Sequence, residues 1–103
     1  MNEELNVHYQ EICKLEAMLT EAGIPHYIER CFDGWHLVYP QEREKPVCSV
    51  IEHRGSIGSR NDKLEIMGLL NKVEKKVDMV MGHLTADNVF DRIRRDWERR
   101  QAR

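Results

Sequence analysis

Asp33-Gly34 divides two runs rich in aromatic and branched residues in the stretch "HYIERCFDGWHLVYP" (His26–Pro40). An Asp-Gly pair flanked in this way is a strong short-range hairpin signal, because glycine tolerates the positive φ that a tight two-residue turn requires. The pair therefore commits the chain to antiparallel pairing early in its length. With Asp33 and Gly34 as a type I′ loop, Phe32 is expected opposite Trp35 and Cys31 opposite His36. Pro40 should close the second strand, and the charged stretch "QEREK" (Gln41–Lys45) should lead away from it.

Before the hairpin, Leu5, Tyr9, Ile12, Leu15 and Leu19 recur at steps of three and four residues. That spacing predicts a helix from about Glu3 to Ala22 with one apolar face. Glu3 and Glu4 fall in the first turn, where they complement the helix dipole. Gly23, Ile24 and Pro25 form a stop signal: glycine takes the left-handed position, Ile24 folds back on Leu19, and proline blocks continuation.

Beyond the hairpin, Pro46–His53 reads as a third strand. Val47, Ser49 and Ile51 alternate against Cys48, Val50 and Glu52. The stretch "HRGSIGSRND" (His53–Asp62) links it to "KLEIMGLL", which fits a strand or a helix. Alternation of Leu64, Ile66 and Gly68 favours a fourth strand at Lys63–Met67, since Gly68 weakens a helix. Val73, Val77 and Val80 then recur at helical spacing and predict a short helix ended by Gly82. Thr85 can cap a last helix from Ala86 to about Arg100, with Val89, Phe90, Ile93 and Trp97 as its apolar face.

The expected fold is α+β: an N-terminal helix, a three- to four-stranded antiparallel meander, and a C-terminal helix packed on the sheet. At 103 residues, one domain with a single modest core is expected over 1–103. No stretch approaches the roughly eighteen consecutive apolar residues of a membrane span. The acidic, polar start "MNEELNVHYQ" is not a signal peptide, and no lipidation motif is present. Cys13, Cys31 and Cys48 are odd in number and irregularly spaced, which argues against a disulfide framework and for a reducing, cytoplasmic setting.

Motifs for chemistry are sparse. The glycines of "HRGSIGSRND" fit neither a P-loop nor a dinucleotide fingerprint. Its G-x-x-G spelling matches the KH clamp, but that clamp joins helices. A plain hairpin loop is one reading; an anion contact through Arg54 and Arg60 is the other. The Cys31/His36 and Cys48/His53 pairs lack the compact spacing of structural zinc sites, so no metal or other cofactor is expected. No acid–base constellation stands out in the sequence, so an enzyme is not expected either.

Charge is unevenly spread. Residues 1–40 hold Lys14 and Arg30 against seven acids, whereas residues 81–103 hold six arginines against four acids. Arg92, Arg95 and Arg99 fall at steps of three and four and form a stripe on the last helix. Arginine suits phosphate and carboxylate recognition, so the stripe is a candidate partner surface. Interleaved Asp91, Asp96 and Glu98 leave solvated helix surface as the alternative.

The stretches "GIPHYIERCFDGWHLVYP", "VCSVIEHRGSIGSRNDKLEIMGLL" and "LTADNVFDRIRRDW", in this order, resemble small accessory proteins encoded by phages and prophages of Gram-positive bacteria. Such proteins include anti-defence factors, among them anti-CRISPR inhibitors of the type II effector Cas9. The resemblance implies a non-enzymatic inhibitor that binds Cas9 or its guide-RNA complex. Arg92, Arg95 and Arg99 are then the first candidate contact residues, and Arg54 and Arg60 the second. An acidic first half suits the basic channels of such an effector, and the C-terminal arginines suit guide RNA. Other readings are a binder that sequesters a nucleotide signal on the same arginines, and an interaction module of the phage itself.

Overall fold

A computed structural model of the chain describes residues 10–41, 46–52 and 63–102. Its elements are α1 (Gln10–Glu21), β1 (Tyr27–Cys31), β2 (Gly34–Tyr39), β3 (Cys48–Glu52), β4 (Leu64–Met67), α2 (Lys72–Val77), β5 (Val80–Leu84) and α3 (Ala86–Gln101). The strands form one antiparallel sheet in the order β1-β2-β3-β4-β5. α1 packs on β2 and β3, α3 packs on β4, and the two helices pack on each other. The class is α+β as expected, with five strands in place of three or four.

α1 follows its sequence pattern. Ile12, Leu15 and Leu19 are fully buried; Leu5 and Tyr9 lie outside the described residues. At its end Gly23 takes φ +71°. The Gly23 amide donates to the Thr20 carbonyl at 3.1 Å and the Ile24 amide to the Leu19 carbonyl at 3.0 Å. These paired bonds are the Schellman motif, and Ile24 joins Leu19 in the core.

The hairpin differs from expectation by one loop position. Cys31 pairs with Gly34, so the two-residue loop is Phe32-Asp33 and not Asp33-Gly34. Phe32 carries the positive φ, +54°, in a conformation that bulky side chains rarely adopt. The register that results matches partners in kind. Ile28 lies opposite Leu37, Glu29 opposite His36, and Arg30 opposite Trp35. Arg30 sits over the Trp35 ring, 4.9 Å from its centre. Such cross-strand pairs contribute about 0.2–1 kcal/mol each, which offsets strain of the order of 1–3 kcal/mol at Phe32. The same register removes the expected Cys31–His36 pairing.

The segment after β4 is the second correction. The periodic valines do not form one buried helix face. Val73 and Val77 on α2 are exposed, and Val80 belongs to β5, where it pairs with Met67. α2 buries no side chain of its own. It is set by a capping box: Glu74 N–H donates to Asn71 Oδ1 at 2.8 Å, and Asn71 N–H to Glu74 Oε1 at 2.9 Å. Gly68, at φ +99°, ends β4 where a Cβ would lie 2.1 Å from the Val47 carbonyl oxygen.

The core gathers Leu37, Tyr39, Cys48, Val50, Leu64 and Ile66 from the sheet against Ile12, Leu15, Leu19, Val89 and Ile93 from the helices. Among the described residues one charged side chain, Glu52, is buried with them. Its Oε1 accepts the Ile12 N–H of the first turn of α1 at 3.0 Å. Glu11 repeats the device, accepting the Ala86 N–H at the start of α3 at 2.5 Å. Each carboxylate takes up an amide that the helix leaves without an internal partner, at the end where the dipole favours negative charge. The expected cap on α3 is present too: Thr85 Oγ1 accepts the Asn88 N–H at 3.2 Å.

Candidate functional site

A groove of about 660 Å³ opens between α2, the Leu69-Leu70 turn and the outer side of α3. Helical spacing lines up Asn88, Arg92, Arg95 and Arg99 along its α3 wall. Val47, Leu69 and Leu70 give it an apolar floor, and Asn71 and Lys75 from the α2 side and the Asp91 carboxylate of α3 complete its lining. The site thus joins the three candidate arginines of α3. Arg54 and Arg60 lie outside the described residues.

The three arginines are not equivalent. Arg92 is a structural clamp. Its two terminal nitrogens grip the Glu74 carboxylate at 2.9 and 2.8 Å, one of them also reaches the Leu69 carbonyl at 3.0 Å, and Nε donates to Asn88 Oδ1 at 2.7 Å. Its side chain is 18% exposed and that of Glu74 13%. The guanidinium hydrogen bonds hold the Glu74 carboxyl far below the carboxylate range, at about 2. The carboxylate raises the pKa of Arg92 in return. A two-pronged pair of this kind fixes geometry as well as charge.

Arg95 and Arg99 are presented outward, 72% and 71% exposed. Arg95 Nε meets Asp91 at 2.9 Å and Arg99 meets Asp96 at 3.4 Å. Exposed pairs of this sort contribute about 0–1 kcal/mol, so a competing anion can replace the acid. Lys75 makes no ion pair among the described residues. The other described arginines of α3, Arg94 and Arg100, are engaged with acids of their own helix. Arg94 bridges Asp91 and Glu98 at 2.6 and 2.7 Å. Arg100 meets Asp96 at 2.7 Å, on the carboxylate oxygen that accepts the buried Tyr39 hydroxyl at 2.6 Å. Lys75 and the weakly paired Arg95 and Arg99 thus place three exposed cations around an apolar floor, with Asp91 among them and Arg92 anchoring the wall.

The sequence reading found the α3 arginines but missed Lys75, Glu74 and the Leu69-Leu70 floor. A signal for part of this was present. Asn71-Lys-Val-Glu74 is a helix-start box, which fixes the phase of α2 and so the side on which Lys75 emerges.

Two of the three thiols, Cys48 and Cys13, are held in the protonated form. Burial pushes Cys48 up to about 12. Burial, and then the nearby Glu52 and Glu16 carboxylates, raise Cys13. Among the described residues no group of three or more His, Cys, Asp or Glu side chains is placed to hold a metal ion, and no helix is long and apolar enough to cross a membrane. No family model, no curated protein and no solved structure matches the chain.

Proposed function

We propose that the chain is a binding protein whose working surface is the α2–α3 groove, and that the groove docks an anionic partner. The observation that carries this reading is the convergence of Lys75, Arg95 and Arg99 over an apolar floor beside an immobilised Arg92. Displaceable cations suit phosphate or carboxylate groups, and the floor suits a base or an apolar side chain between them. Set beside the resemblance to phage accessory proteins, the partner is the Cas9–guide RNA complex of a bacterial host. The chain then acts as an inhibitor by occupancy, with the groove on guide RNA or on an acidic patch of the effector.

A cleavage assay tests this. Inhibition should be complete at a modest molar excess, and pull-down should require the guide RNA if RNA is the ligand. Undiminished cleavage together with no co-purification overturns the Cas9 assignment.

The groove volume also falls in the range of small-ligand sites, about 300–1,000 Å³. This favours sequestration of a nucleotide signal as a second reading. Ligand at one hundred times its Kd would stabilise the fold by about 2.7 kcal/mol. A melting screen with cyclic nucleotides that shows no shift removes it.

A further inference from the structure

The sheet face turned away from α1 and α3 carries a polar cluster that the groove does not use. Glu29 on β1 and His36 on β2 are direct cross-strand partners. Ser49 on β3 pairs with Val38, two residues along β2 from His36. Alternation therefore puts all three side chains on one face, with Ser49 diagonal to the imidazole and within its reach.

Their contacts run in a defined order. His36 Nδ1 lies 3.3 Å from Glu29 Oε1, and His36 Nε2 lies 2.5 Å from Ser49 Oγ. In the Nδ1–H tautomer that nitrogen donates to the carboxylate, and the Nε2 lone pair accepts the Ser49 hydroxyl hydrogen. A carboxylate on one ring nitrogen and a serine on the other is the arrangement that orients an imidazole as a base and activates the hydroxyl. The His36 and Glu29 side chains are 26% and 31% exposed, and Ser49 is half-buried.

We propose that Ser49 is a nucleophile toward activated acyl compounds, with His36 as its base and Glu29 as a positioning residue. Ser49 Oγ forms a bond to the acyl carbon while His36 Nε2 takes the hydroxyl proton. The bond to the leaving group then breaks; the group departs with the electron pair and receives that proton. β2 and β3 are both interior strands, so their amides are engaged in the ladder and do not turn toward the face as oxyanion donors. The acyl donors are accordingly those with good leaving groups, such as thioesters, acyl phosphates and aryl esters. The outcome is acyl transfer onto the chain itself, and the inference does not rest on the groove.

A fluorophosphonate probe tests it on the full chain, because it modifies activated serines in preference to thiols. The Oγ–P bond forms and the P–F bond breaks, with fluoride leaving. Peptide mapping should place the adduct on Ser49. Ser49→Ala should abolish labelling, and His36→Gln should slow it by about 100-fold, the scale of general-base assistance. Glu29→Gln should also slow it, and Glu29→Asp should restore part of the rate. Thermal melts establish that each variant is folded. If a variant does not fold, comparison of the native chain with the urea-unfolded chain decides, since activation requires the assembled sheet. No adduct on Ser49, equal labelling of folded and unfolded chain, or an unchanged rate in a folded His36→Gln variant overturns the proposal.

Discussion

Arg92 holds Glu74 by two parallel hydrogen bonds, of 2.9 and 2.8 Å, and so ties a helix that buries no side chain to one that carries the core. The pair is the principal side-chain anchor described for α2. Arg92→Ala should therefore loosen α2 and the Leu69-Leu70 turn more than the sheet. A loss of about 2 kcal/mol is expected for charged hydrogen bonds of this kind. Amide exchange should rise across Lys72–Val77 and stay slow in β2 and β3.

The same pair sets an acid limit. The Glu74 carboxyl is lowered from 4.5 to about 2 in the folded chain. A depressed carboxyl contributes stability that is fully present above its unfolded value and is lost as pH falls toward the folded one. Protection of α2 should hold from pH 7 to 5 and decline between about 4.5 and 2. Glu74→Gln should remove that dependence. Glu16, lowered by its hydrogen bond to His26, adds to acid sensitivity in the same direction.

Arg95, Arg99 and Lys75 should behave in the opposite way from Arg92. Reversing each to Glu is expected to change melting little, since their exposed contacts are worth about 0–1 kcal/mol. Partner binding should fall with each reversal and weaken steeply with salt, as displaced counterions require when the ligand is a polyphosphate. Binding titrations of the three variants at two salt concentrations check this. Unchanged affinity in all three would place the partner surface elsewhere.

Tyr39 offers a spectroscopic test. Its buried ring donates to Asp96 at 2.6 Å, and burial together with that carboxylate raises the phenol well above its ordinary value. Tyr39 should stay protonated in an alkaline absorbance titration until the chain unfolds. Tyr39→Phe should remove the late step and cost about 1–2 kcal/mol.

Two glycines with positive φ separate strain from space. Gly23 has nothing within 4 Å of a built Cβ, whereas Gly68 would drive one to 2.1 Å from backbone oxygen. Gly23→Ala should cost about 1 kcal/mol, the conformational penalty alone. Gly68→Ala adds a backbone collision and should cost about 3 kcal/mol. Chemical denaturation of both variants measures the difference.

These residues also mark where the sequence was informative. α1 and α3 were legible because long periodic faces and complete caps agree locally, as at Leu19-Gly23-Ile24 and Thr85. The hairpin was legible as a hairpin, but its loop was misplaced by one. Asp33-Gly34 is the better turn pair locally, yet the choice was made by partners across the ladder, Glu29 with His36 and Arg30 with Trp35. β5 was missed because Val80 continues the spacing of Val73 and Val77, and burial alone shows that the first two face solvent. Of the groove, the arginines could be read from one helix. Lys75 and the floor could not, because they arrive from elements whose placement depends on Arg92. The Glu29–His36–Ser49 cluster was hidden because it draws on three strands, and the β2–β3 register that brings Ser49 to His36 is set across a long connection and not by a tight turn.

The carboxylates at the helix starts bear on how the chain comes apart. Glu52 of β3 receives an amide of α1, and Glu11 of α1 receives an amide of α3. Opening α1 would strand a buried carboxylate in β3 and take the Glu11 acceptor from the Ala86 amide of α3 at once, a penalty that falls on both neighbours. Sheet and helices are thus fastened in series, and local opening of α1 should merge with global unfolding. α2, which buries no side chain, makes neither of these contacts and is able to move while the body they fasten stays cooperative.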